Sequence, residues 1–317
     1  MPTPERLPPF FAASAEVQRA RQLGLAIVAL ESTVITHGIP RPRNRSLAEE
    51  IEAAVRSEGA VPATIAVMDG KVLLGMPSYQ LEQLAMAVDP PKISRRDFAG
   101  ALLRKETGGT TVAGTMYAAS VAGISVFATG GIGGVHRVGE YGQGRFDIST
   151  DLQALADTPM FVVCAGAKSV LDLPATLEYL ETMAVPVVGW ETDDFPAFYS
   201  ASSGLPVTER VDTLEELMKL ARTHWALGFR SAVLVCQPLP TPDELPAKEM
   251  EPAEAQADRE AKQQGIRGQA ITPFLLKRVN ELTAGRALKA NETLLVNNAR
   301  LAARIAKAFS QGLGRLV

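Results

Sequence analysis

LAIVALEST, residues 25–33, is a short apolar run, partly β-branched, that stops at a carboxylate and two hydroxyls. That pattern reads as a buried strand ending at Glu31. Two later runs repeat the design: ISVFAT (124–129) leads into Gly130-Gly131, and MFVVCAG (160–166) leads into Ala167-Lys168. VPVVGWE (185–191) and SAVLVCQ (231–237) supply two more strands. Helical patterns lie among them. SLAEEIEAAVRSEG opens at Ser46 and closes at Gly59, and SRRDFAGALLRKE has Ser94 and Asp97 as a capping-like start. TTVAGTMYAASVAG is small or apolar throughout, so it reads as a helix buried on most sides, and LQALAD and LEELMKLARTHWALG complete the set. The alternation predicts an α/β fold, three-layer α/β/α with a mixed, mostly parallel central sheet. TIAVMDGKVLLG, split at Asp69-Gly70, predicts a tight hairpin that adds the antiparallel element.

The remaining chain fits one domain over residues 11–317 behind a proline-rich arm, residues 1–10. Hydrophobic residues make up 46% and charged residues 21%, so a large core can form and general disorder is excluded. A net charge of only -3 argues against nonspecific nucleic-acid binding but leaves room for a few lysines in an anion pocket. Cys164 and Cys236 lie in interior strands without metal-type spacing, which predicts reduced, buried thiols. With no signal-like apolar segment at the start and no apolar run of transmembrane length, a cytoplasmic protein without membrane contact is expected. Residues 238–251 read as an exposed connection. EAQADREAKQQG, TPFLLKRVNELTAG with Thr272 as N-cap and Pro273 at the first helical position, and LLVNNARLAARIAKAF read as closing helices.

Open α/β sheets collect ligands at the carboxyl ends of their strands. Glu31, Thr129 and Lys168 are therefore expected at one crevice. A lysine after an apolar strand can lose hydration and attack a carbonyl carbon, or it can simply cap a helix or reach to solvent. Glu31 can be a general acid/base or the partner of a helix N-terminus. The glycine-rich stretch GGIGGVHRVGEYGQGRFDISTDL (130–152) contains His136, Arg137, Asp147, Ser149 and Asp151. It offers amides to an anion and oxygens to a hard cation such as Mg²⁺ or Mn²⁺, although Thr150 to Gln153 also fits a helix capping box. Lys92 and GGTTV (108–112) suit phosphate contacts, although taken singly each reads more readily as a surface lysine and a plain glycine turn. His37, in THGIPRPRN, reads as packing a turn or lining the pocket mouth, with the turn favoured, and His224 reads as helix packing. Dinucleotide, Walker A, zinc-cluster and nucleophile-elbow patterns are absent from the sequence, which removes several common enzyme classes.

Several collinear blocks carry a more specific message: ALESTVITHGIPRPRN (29–44), PATIAVMDGKVLLGM (62–76), KISRRD (92–97), GGTTVAGTM (108–116), FATGGIGGVHR (127–137), FDISTDL (146–152), CAGAKSVLDLPATLEYLET (164–182) and GIRGQAITPFLL (265–276). In these the chain resembles the pseudouridine-5'-phosphate glycosidase family, which includes proteins of indigoidine and C-nucleoside antibiotic clusters. The resemblance implies reversible cleavage of pseudouridine 5'-phosphate to uracil and ribose 5-phosphate. The ribose ring opens, a lysine at the position of Lys168 adds to C1' as an imine, and a glutamate at Glu31 protonates uracil C5 as the carbon–carbon bond breaks. It places a divalent metal, usually Mn²⁺, at Asp147, and substrate contacts at Lys92, the Val112 backbone, and Ser149, Thr150 and Asp151. Thr129, His136 and Asn291 are implied as further pocket residues, and a homotrimer as the assembly. Thr150 stands where many members carry alanine.

Competing expectations are a Schiff-base aldolase or lyase acting on another sugar phosphate, a C-glycosyl synthase joining ribose 5-phosphate to a different ring, and a non-catalytic scaffold.

Overall fold

The computed structural model describes residues 6–137, 147–266 and 271–314. Strand β1 (Phe11–Ala13) and helix α1 (Ala15–Leu23) lead into β2 (Ile27–Leu30), α2 (Arg43–Ser57), β3 (Val61–Met68), β4 (Lys71–Leu74) and α3 (Ser78–Ala85). Next come β5 (Lys92–Ile93), α4 (Phe98–Leu103), β6 (Gly108–Thr110), α5 (Val112–Val121), β7 (Val126–Ala128), β8 (Val135–His136), α6 (Thr150–Asp157) and β9 (Phe161–Cys164). The chain closes with β10 (Leu171–Asp172), α7 (Leu173–Thr182), β11 (Val187–Trp190), β12 (Glu209–Val211), α8 (Leu214–Ala226), β13 (Val233–Cys236), α9 (Ala247–Gln263), α10 (Ile271–Leu282) and α11 (Arg286–Ser310).

The main sheet runs β1-β4-β3-β2-β7-β9-β13-β11-β12 and is parallel from β3 to β12, as the apolar runs predict. Val28, Phe127, Val162 and Val163 are fully buried, so the middle strands are covered on both faces. Helix α11 packs along β2, β7 and β9 with α2 beside it, and α5 packs on β2 and β3 with α6 beside it. The hairpin at Asp69-Gly70 forms as expected. Asp69 and Gly70 take φ of 49° and 72°, and β3 and β4 pair antiparallel. Off the main path, β6 pairs antiparallel with β3 and in parallel with β5. This branch lies over the end of β2, where the Ser32 hydroxyl accepts the Thr110 amide at 2.9 Å and donates to the Ile65 carbonyl at 2.5 Å.

Several boundaries differ from expectation. Helix α2 starts at Arg43, and α4 starts only at Phe98 because the Asp97 carboxylate accepts the Ser94 amide (3.0 Å) and holds a turn before it. Helix α6 is capped by Ser149, whose hydroxyl accepts the Asp151 amide (3.2 Å), rather than by a box at Thr150. The connection after Pro238 is shorter than predicted. Helix α9 already begins at Ala247 and accommodates Pro252, because Met250, Ala253, Ala257 and Ala261 bury one continuous face. Helix α11 begins at Arg286, directly after Gly285 turns the chain at φ 86°, well before the predicted start near Leu294. Cys164 and Cys236 are free, buried and paired in register between β9 and β13. Among the described residues no helix is long and apolar enough to cross a membrane.

The approach of β6 to the end of β2 requires a glycine. A Cβ on Gly109 would stand 2.5 Å from the Thr36 hydroxyl and 2.8 Å from the Ser32 carbonyl oxygen. Gly109→Ala is therefore expected to lower stability by about 1–3 kcal/mol, the usual cost of overpacking. Urea unfolding checks this, and a midpoint equal to wild type would show that the branch gives way without strain.

Candidate active site

Parallel pairing sets β2, β7 and β9 side by side, with Leu30 opposite Ala128 and Ala128 opposite Val163. The residues that follow therefore emerge at one sheet edge. The ladder continues past the strands: the Thr129 amide donates to Val163 (3.0 Å), Ala165 to Gly130 (2.9 Å), Ile132 to Gly166 (3.1 Å) and Lys168 to Ile132 (3.1 Å). Gly166 takes φ 80°, and a Cβ there would run into the Pro196 carbonyl, so the tight turn toward Lys168 needs glycine. Glu31 is held by two hydroxyls, Thr129 donating to Oε1 and Thr33 to Oε2.

These ends open into a cavity of about 410 Å³. Glu31, Lys92, Val112, His136, Asp147, Ser149, Thr150, Asp151, Lys168 and Asn291 all line it. Thr129 lies behind the wall, acting on Glu31. Lys92 arrives on the β5–β6 branch. Burial and the positive charge of Lys168 depress its ammonium to about 8, against the opposing pull of Glu31. At the start of α5, Asp151 accepts the Ala113 amide (2.9 Å) and the Thr111 hydroxyl accepts the Gly114 amide (3.2 Å). Val112 is left at the open end of the helix, where an anion is favoured.

Asp151 is buried, and its second oxygen accepts the Gly133 amide at 2.9 Å. Its carboxylate thus ties α6 to α5 and to the β7–β8 connection. His136 and Asp147 face each other across a short ladder, the His136 amide donating to the Asp147 carbonyl at 2.9 Å. Residues 138–146 of the glycine-rich stretch, including Phe146 of FDIS, lie outside the described residues, as do residues 267–270 of GIRGQA and residues 1–5 of the arm.

His37 lines the cavity from a π-helical turn (Val34–Gly38), the less favoured of its two sequence readings. Burial, with the charge of Lys92, lowers it to about 4, so it is neutral at physiological pH. Ser94 meets Thr150 hydroxyl to hydroxyl at 3.1 Å. Phe198, Thr272, Leu276 and Leu295 form the more apolar wall. Behind it Asn298, buried on α11, donates to the carbonyls of Thr129 (2.8 Å) and Gly130 (3.4 Å). His224 is a packing residue as expected, bonded to Ser231 at 2.8 Å and stacked on Phe229.

For a hard cation the cavity offers the exposed Asp147 carboxylate, since the oxygens of Asp151 and Glu31 are already engaged. Among the described residues no three His, Cys, Asp or Glu side chains form a metal cage. That donor set fits Mg²⁺ or Mn²⁺ keeping most of its waters and taking one carboxylate. A larger groove of about 630 Å³ lies between α1, α2 and α3, but its charges are paired among themselves, Arg56 with Glu16 and Glu52, and Glu52 with Thr64. The strand-end cavity is the candidate site.

A carboxylate and two lysines gathered at the carboxyl edge of a mostly parallel sheet define an α/β enzyme with an anion-binding pocket. Residues 16–308 match the family described as indigoidine synthase A like protein, and the chain belongs to that family. It is 52% identical over 306 residues to the pseudouridine-5'-phosphate glycosidase of Paracoccus denitrificans, covering 96% of this chain and all of that one. Among solved structures, the prealnumycin C-glycosynthase in complex with ribulose 5-phosphate superposes with a TM-score of 0.87 at 40% identity, covering 96% of this chain and 98% of that one. An indigoidine synthase A-like protein from Thermotoga maritima gives 0.86 at 33% identity, covering 95% and 97%.

Anion binding should follow Lys92. Below about pH 8 the Lys92 ammonium is mostly charged before binding, whereas above it binding must take up a proton. Affinity for inorganic phosphate is expected to bend downward as pH rises through about 8 and to approach a tenfold loss per pH unit well above it, the limit for one linked proton. Calorimetric titration should show this break in wild type and not in Lys92→Met; an identical profile in both would assign the break elsewhere.

Proposed function

We propose that this protein is a pseudouridine-5'-phosphate glycosidase, cleaving the C-glycosidic bond reversibly to uracil and ribose 5-phosphate. The observation that carries the reading is the delivery of Glu31 and Lys168 by near-neighbour strands into one cavity that also holds Lys92. A C-glycoside has no leaving oxygen to protonate, so the paired-carboxylate route of ordinary glycosidases does not apply. Lys168 adds to C1' as the ring oxygen departs and takes a proton. Glu31 then gives a proton to uracil C5, the C1'–C5 electron pair stays with the ring, and the lysine nitrogen donates its lone pair to form the imine. Water hydrolyses the imine and frees ribose 5-phosphate.

Lys92 and the open end of α5 hold the phosphate, with Ser149 and Thr150 on the adjoining wall. His136 and Asn291 complete the substrate contacts, and Thr129 and Thr33 orient the Glu31 carboxylate. Asp147 is the residue to hold a divalent ion, Mn²⁺ by family resemblance, which supplies local positive charge for an anionic substrate. A homotrimer in a reducing cytoplasm, consistent with the two free thiols, completes the reading.

The likeness to a C-glycosynthase supports a second reading, condensation of ribose 5-phosphate with another ring on the same imine. Incubation with pseudouridine 5'-phosphate and Mn²⁺, followed by chromatography, separates them: uracil release is expected, and its absence overturns the first reading. Borohydride during reaction with ribose 5-phosphate should attach the sugar-phosphate mass to the Lys168 peptide and not to Lys168→Ala. Trapping at another lysine would reassign the nucleophile. Glu31→Ala should keep this trapping yet release uracil at least about 10²-fold more slowly, the lower range for a lost general acid. Asp147→Ala should lose most activity with the fold intact, and excess Mn²⁺ should restore part of it; full activity in metal-free buffer would remove the metal.

A further inference from the structure

Lys168 opens a turn outside helix and strand; its amide is held by the Ile132 carbonyl at 3.1 Å, and the turn that follows is held by other groups. One of them is Arg137. Its guanidinium donates to the carbonyl of Ser169 at 2.9 Å and to that of Leu171 at 3.2 Å, bracketing the turn just after the lysine. The same turn is closed by the Leu171 amide on the Lys168 carbonyl at 3.0 Å. The same Nη2 that serves Ser169 also donates to the Glu254 carboxylate of α9 at 3.3 Å. That carboxyl is only 6% exposed, while Arg137 itself is 43% exposed. Burial pushes Glu254 upward, and Arg137 pulls it back. The buried Ser169 hydroxyl lies beside the same carboxyl, without a regular hydrogen bond among the described residues.

Arg137 does not face the cavity. His136 lines it, and the next residue of an extended segment points the other way. The two are nevertheless linked, because His136 pairs with Leu171 between β8 and β10. One guanidinium therefore fixes the backbone on which both the nucleophile and a substrate contact are carried. A planar fork of donors suits this task, since it can engage two carbonyls and a carboxylate together, as an ammonium on a flexible stem cannot.

We propose that Arg137 is a positioning residue for Lys168, with Glu254 as the fixed counter-charge that keeps the guanidinium on the turn. The chemical part of this inference rests on the imine reading of Lys168. Its structural part does not. Displacing a nucleophile by about 1 Å costs on the order of 10²-fold in rate.

Three variants test it: Arg137→Ala, Arg137→Lys and Glu254→Gln. In Arg137→Ala, hydrogen exchange at the amides of Lys168 and Leu171 should quicken at least about tenfold, the factor expected when roughly 1.4 kcal/mol of local protection is lost. Amides of β2 should be unchanged. The rates of borohydride trapping at Lys168 and of uracil release should both fall by about 10²-fold while KM stays near wild type, and added guanidinium should restore part of the rate. Arg137→Lys should recover little, and Glu254→Gln, which keeps the side-chain volume, should shift exchange and rate the same way by a smaller factor. The proposal is overturned if exchange of the turn is unchanged in Arg137→Ala. It is also overturned if the whole loss appears in KM without rescue by guanidinium, as for a direct substrate ligand. Should Arg137→Ala fail to fold, the same exchange measurement on Glu254→Gln decides. If wild type itself neither traps sugar nor releases uracil, the glycosidase reading fails, and the exchange result still decides the role of Arg137 on the turn.

Discussion

Parallel strands that lie side by side must finish at the same edge, and the pairing of β2, β7 and β9 brings Glu31, Thr129 and Lys168 to that edge. The hydroxyl of Thr129 on the Glu31 carboxylate is the link between the first two strands at the site. Pairing also fixes facing. Side chains alternate along a strand, so a one-residue slip of β7 would turn Thr129 away from Glu31 and move Phe127 to the opposite face of the sheet, breaking the packing on both. The apolar burial that stabilises the sheet is thus the same constraint that aligns the chemistry. Branch β5–β6, the first turn of α5 and the tie made by Asp151 are arranged around a frame already set.

Asp151 lies in the cavity wall but gives its oxygens to two backbone amides. Burial, helped by a neighbouring positive charge, lowers Lys92 to about 8 and His37 to about 4. A bound phosphate would reverse the first effect, since a nearby anion favours the ammonium. The site is therefore more cationic when occupied than when empty, and binding and protonation act together.

The long strands and the hairpin were legible because an apolar run four to eight residues long bounded by Gly, Asp or Glu has few other uses. Strands β5, β6, β8 and β10 were not, since two or three residues carry no period and these segments are extended only because a neighbour offers them a ladder. Glu31 and Lys168 could be found as polar groups closing apolar segments, and Lys92 as a cation near a glycine turn and a helix start. For His37 a pocket-mouth and a turn reading both stayed open, because no sequence signal separates its π-helical turn from an ordinary one. Asn298 was hidden for another reason: it acts on the carbonyls of Thr129 and Gly130, far away in the chain, and only packing of α11 against β7 reveals that. At Ser149 two local caps competed, and the tertiary contact of Thr150 with Ser94 settles which residue is free to cap.

Helix α11 has a consequence in time. It is the last long element described, yet it furnishes Asn291 and Leu295 to the cavity and the Asn298 amide to the carbonyl behind Glu31. During synthesis the strands from β2 to β9 can pair while the ribosome is still far from residue 286, because domains begin to fold from the amino-terminal side. The half-made sheet would expose the apolar flank that α11 later covers, and its pocket would lack one wall. A nascent chain therefore holds the strand ends that carry Glu31 and Lys168 before the cavity wall made by α11 is in place.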